Sequence, residues 1–97
     1  RRAGRLIQKA LKLEPDIPAG LLARGLLAES RRQNNKALRL FSRLVEVSPD
    51  SAEAHFRLGR RLIRTEGQAQ LGRQRLRRVQ KLDPEGVWGD KASRLLD

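Results

Sequence analysis

The chain has 97 residues, enough for one hydrophobic core and too few for two independent ones. It carries 22 Lys and Arg against 11 Asp and Glu, a formal net charge of +11, with 38% apolar and only 3% aromatic residues. With no cysteine and a single histidine, disulfide scaffolds, thiolate metal sites, cysteine nucleophiles and His-rich metal centres are excluded, and three aromatics are too few for a base-stacking platform.

The predicted elements are all helical. From Arg2 to Leu13, Ala3, Leu6, Ile7, Ala10 and Leu11 fall on one helical stripe, and Pro15 ends it. A second helix opens around Asp16-Ile17-Pro18, with a proline suited to the first turn, and carries Leu21, Leu22, Leu26, Leu27 and Ala28. The polar stretch Arg31 to Asn35 breaks it. The third runs from about Lys36 to Val47 and reads as apolar nearly all round, which predicts a helix sandwiched between neighbours. Ser48-Pro49-Asp50-Ser51 stops it, with Ser51 as the N-cap of a fourth helix over about Ala52 to Arg64. Thr65 to Gln68 makes a turn, a fifth helix covers about Ala69 to Lys81, and Asp83-Pro84-Glu85-Gly86 closes it. A short last segment, Val87 to Asp97, carries Val87, Trp88, Ala92, Leu95 and Leu96. No stretch has a period-2 strand pattern.

The breakers repeat. Glu14-Pro15-Asp16, Ser48-Pro49-Asp50 and Asp83-Pro84-Glu85 lie 34 and 35 residues apart, with two helices per period. Across Leu21, Gly25, Ala28, Ala37, Phe41, Leu44 and Pro49, and again across His55, Leu58, Gly59, Leu62, Gly72, Leu76, Val79 and Pro84, the chain resembles the tetratricopeptide repeat family. Small residues at Gly25, Ala37, Gly59 and Gly72 suit the close crossing of two helices in a hairpin. The resemblance implies an all-α fold of tandem helix-turn-helix repeats in a right-handed superhelical array of about six helices. It divides a single domain, 1–97, into the second helix of a truncated repeat (1–15), a repeat (18–51), a repeat with one extra residue near Thr65 to Gly67 (52–86), and a solvating cap helix (87–97). His55 stands where the family often has a large aromatic, and Arg24 where it usually has Leu.

Chemistry is sparse. His55 is the one candidate general base, four residues after Ser51, with no carboxylate placed to orient it, and reads as a packed histidine. Asp16, Asp50, Asp83 and Glu85 sit at repeat junctions, where capping and turn formation account for them. The eight glycines form no phosphate-binding loop. No catalytic residue, metal site or cofactor is expected, and the reading is a binding module rather than an enzyme.

In the family the first helix of each hairpin lines a concave groove. The resemblance places Leu22, Leu26 and Glu29 there from one repeat, and Phe56, Arg60, Ile63 and Arg64 from the next. That surface suits a protein or peptide partner with apolar anchors and acidic residues. Positions that clamp a terminal carboxylate in the chaperone-binding subset hold Leu22, Leu26, Glu53 and Arg57, so that clamp is not present. A second surface, Arg73, Arg75, Arg77 and Arg78, makes electrostatic RNA binding the alternative function, although nothing in its spacing reads base edges. Arginine-heavy composition can equally reflect genome base composition, so charge alone does not choose.

No apolar run approaches the ~18–20 residues of a membrane span. The chain begins at Arg1 and lacks methionine, so it is expected to be a processed product or a piece of a longer chain. Absence of cysteine is compatible with cytoplasm or periplasm and selects neither. The leading helix, without its hairpin partner, is expected to drive weak self-association.

Overall fold

The structure, a computed structural model, describes residues 17–97. Five α-helices and no strand lie among them: α1 (Pro18–Ser30), α2 (Asn34–Val47), α3 (Ala52–Ile63), α4 (Ala69–Leu82) and α5 (Val87–Leu96). The fold is all-helical and built of helical hairpins. The leading helix expected at Arg2 to Leu13, the truncated repeat assigned to 1–15 and the self-association resting on them lie outside the described residues. Contacts divide the chain between Ser48 and Pro49 into two compact units, a position that coincides with the turn between α2 and α3.

In the N-terminal unit α1 and α2 form an antiparallel hairpin. Pro18 opens α1, where a missing N–H costs nothing, and the Leu21 amide donates to the Ile17 carbonyl at 3.0 Å. The helix ends without a glycine. Arg32 takes a positive φ of 57°, the Gln33 amide donates to the Ala28 carbonyl at 2.9 Å, and the Arg32 amide donates to the Glu29 carbonyl at 3.0 Å. This 6→1 and 5→2 pair is a Schellman cap, with arginine at the left-handed position. Because the cap needs only Arg31 to Gln33, α2 starts at Asn34, two residues earlier than the breaker residues predict. Gly25 and Phe41, each eight residues from Gln33, meet across the hairpin. A Cβ on Gly25 would clash with the edge of the Phe41 ring, which is wholly buried with Ala37. Helix α2 is not apolar all round. Arg39, Ser42, Arg43 and Glu46 keep one stripe in solvent, at i, i+3, i+4 and i+7 spacing, while Ala37, Phe41, Leu44 and Val45 are buried.

The C-terminal unit adds a third helix to the hairpin. Ser51 caps α3 as expected, its hydroxyl accepting from the Ala54 amide at 3.1 Å. Gly59 and Gly72 make the crossing of α3 and α4: a Cβ on Gly72 would lie 2.7 Å from Ile63, and one on Gly59 3.1 Å from Leu76. Pro18 and Ala52 start their helices 34 residues apart, whereas Asn34 and Ala69 start theirs 35 apart, so the extra residue lies before Ala69. The turn there uses Gly67 at φ 78°. Phe56, Leu76, Val79 and Ala92 form the core of this unit, with Ala52, Ile63, Trp88 and Leu96 packed around it. Helix α5 is held at its start by Asp83, whose carboxylate accepts from the Trp88 amide at 3.1 Å, and along its length by Gln80, whose amide donates to the Ser93 hydroxyl at 2.9 Å.

Candidate functional site

Ser51 and His55, the pair that sequence spacing brings within one helical turn, are both engaged in structural contacts. The Ser51 hydroxyl caps α3. His55 is 3% exposed, and its Nε2 lies 2.8 Å from the Pro49 carbonyl, which makes Nε2 the protonated nitrogen and leaves Nδ1 without a partner. Burial pushes its pKa below the ordinary 6.5, and the Arg75 and Arg78 charges push the same way, while the Pro49 bond and Asp50 oppose them. The imidazole is a neutral, packed side chain. No group of three or more His, Asp or Glu among the described residues is placed to hold a metal ion, and no described helix is long and apolar enough to cross a membrane.

The concavity with a defined chemistry lies within the C-terminal unit, where α5 runs beside α3. It is a shallow cleft of about 280 Å³, lined by Phe56, Arg60 and Arg64 from α3 and its C-cap and by Lys91, Arg94 and Leu95 from α5. The α3 residues recur at i, i+4 and i+8, the α5 residues at i, i+3 and i+4, so each set occupies one helical face. Phe56 and Leu95 supply the apolar lining. The Arg60 guanidinium lies 5.6 Å from the Phe56 ring centroid, within cation–π range. Arg94 pairs with Asp90 at 3.0 Å on an exposed surface, where water and salt keep such a pair weak. No carboxylate lines the cleft, so its field is positive.

Phe56, expected to line the groove, lines this cleft only at its floor. Its ring is 3% exposed, because Trp88 covers it at 5.4 Å and Leu76 and Val79 close it from α4. What remains accessible is a sliver of ring at the floor of the cleft. Ile63 is half-buried against the same core, at the Gly72 crossing, and does not line the cleft. Arg60 and Arg64 do line it. Leu22, Leu26 and Glu29 lie on α1 in the N-terminal unit, all half-buried. Arg73, Arg75, Arg77 and Arg78 lie on α4, all exposed. Lys91, Arg94 and Leu95 were missed by sequence reasoning. Their i, i+3, i+4 spacing was legible, but nothing local says that the last helix lies beside α3.

Two antiparallel helix pairs with glycines at their crossings and a closing helix define a helical-hairpin repeat protein. Residues 18–62 match the family described as Tetratricopeptide repeat, which supports a domain of that family over this segment. The matched segment spans α1, α2 and nearly all of α3, including Arg60 of the cleft. No curated protein matches the chain. Repeats of this family generally mediate protein–protein interaction and are typically non-enzymatic scaffolds.

Proposed function

We propose that this chain is a protein-binding module that takes, in the cleft beside α3 and α5, an acidic segment of a partner bearing one apolar side chain. The observation that supports this reading is the composition of the cleft: four cations, Arg60, Arg64, Lys91 and Arg94, around Phe56 and Leu95, with no carboxylate among the lining residues. A leucine-sized side chain on Leu95 and the edge of Phe56 removes apolar surface from water, worth roughly 25 cal/mol for each Å² buried. Flanking carboxylates meet guanidinium groups already clustered by the fold, so orientation comes from charge-assisted hydrogen bonds. Leu22 and Leu26 hold the positions of the N-terminal unit that correspond, 34 residues earlier, to Phe56 and Arg60.

The test is fluorescence anisotropy with a labelled peptide of about ten residues, one leucine flanked by glutamates, beside its lysine-flanked counterpart. The acidic peptide binds and the basic one does not. Arg64→Glu with Lys91→Glu weakens the acidic peptide at least about tenfold, the effect of roughly 1.4 kcal/mol. Equal binding of both peptides, or no loss in the double variant, overturns the reading.

A further inference from the structure

We propose that α4 carries a second, independent site: a surface that binds the phosphate backbone of a nucleic acid without reading its sequence. Arg73, Arg75, Arg77, Arg78 and Lys81 are all exposed, and α4 contains no acidic residue. None of the five forms an ion pair among the described residues, whereas Arg57 pairs with Glu53, Arg43 with Glu46 and Arg94 with Asp90 on the other helices. Acids and bases are interleaved elsewhere on this protein; on α4 they are segregated. At 1.5 Å rise per residue, five positive charges stand along roughly 12 Å of helix axis. Arg73, Arg77 and Lys81 repeat every four residues, about 6 Å apart along the axis, and so form a row on one face. Four of the five cations are arginines, whose planar forks bind phosphate oxygens in pairs.

The rest of the helix selects among polyanions. A helix that lies in a lipid headgroup layer needs a free apolar face, and the apolar side of α4, Gly72, Leu76 and Val79, is buried in the hairpin. A protein interface needs an apolar centre, and Leu71, at the start of the helix, is the one large apolar side chain α4 exposes. Base reading needs side chains held at groove edges or aromatic platforms, and α4 has no aromatic residue. What it presents is positive charge at regular intervals, which recognises a regular line of negative charge.

The experiment is a titration of the protein with a fluorescent single-stranded uridine oligonucleotide of about 20 nucleotides, repeated across salt. With five phosphate contacts and a slope of about −0.7 per contact, affinity falls roughly 100-fold between about 50 and 200 mM salt. Arg73→Gln, Arg77→Gln and Lys81→Gln together reduce the slope by about two units. Arg75→Gln with Arg78→Gln, measured separately, reduces it by more than one. A control with the same charge change in the other unit, Arg31→Gln, Lys36→Gln and Arg39→Gln, leaves the slope nearly intact. If the control lowers it equally, net charge alone is responsible and the site does not exist. Absence of RNA binding at low salt overturns the proposal, as does equal, α4-dependent binding to anionic vesicles or to a glutamate-rich peptide.

Discussion

The Trp88 indole lies 5.4 Å from the Phe56 ring, centroid to centroid, with the ring planes 47° apart. This tilted pair joins α5 to α3 and converts the aromatic of a repeat's first helix from surface into core. Arg57 and Lys91 stand over the indole at 5.2 and 5.0 Å, so the exposed remainder of Trp88 is screened by cations rather than left as bare apolar surface. The same packing places Lys91, Arg94 and Leu95 beside Arg60 and Arg64. The cleft and the core of the C-terminal unit are therefore made by one contact.

Phe56→Ala is expected to destabilise the protein by about 3 kcal/mol, and Trp88→Ala by a comparable amount, because each opens the buried cluster. The double variant loses less than the sum, with a coupling of about 1 kcal/mol for the aromatic pair. Chemical denaturation of the four proteins measures the cycle, and strict additivity would contradict the packing described.

Gly25→Ala is expected to cost about 1–3 kcal/mol, since the added methyl would press into the edge of the Phe41 ring well inside contact distance. Gly59→Leu falls in the same range, because even its Cβ would lie 3.1 Å from Arg75 Cβ, the Gly72 carbonyl and Leu76. A melting temperature unchanged by either substitution would place the helix crossings elsewhere.

Arg32→Gly should stabilise the protein, by about 0.5–1 kcal/mol. Arginine at φ 57° bears the steric cost of the left-handed region, which glycine does not, and this gain exceeds the extra freedom of glycine in the unfolded chain. The denaturation midpoint rises if the Schellman cap is correct and falls if the residue has an ordinary helical φ.

His55 makes stability depend on pH. Its pKa is lower in the folded protein than the unfolded 6.5, so the unfolded chain takes up the proton first. The contribution is complete above about pH 6.5 and is lost as the pH falls from there through the depressed folded value. His55→Gln, which keeps a donor for the Pro49 carbonyl, should remove this step. Denaturation midpoints at about pH 7.5 and pH 5.5 check it, and an equal drop in both proteins would assign the dependence to other groups.

The sequence by itself determined the helical class, the 34- and 35-residue spacing of its breakers, the Ser51 cap, and the glycines at the crossings. These follow from interactions within one helix or across one turn: proline removes a donor, serine supplies an acceptor, and a residue without a side chain lets a neighbour approach. The left-handed cap at Arg32 escaped it because arginine is not the residue that marks such a position. The tertiary structure alone decided the fate of Phe56. Spacing places Phe56 and Arg60 on one face of α3, but periodicity reports only which side chains share a face, never what lies over it. Here α5, joined to α4 through the Asp83 turn, lies over that face, buries the phenylalanine under Trp88, and leaves the arginines at the edge.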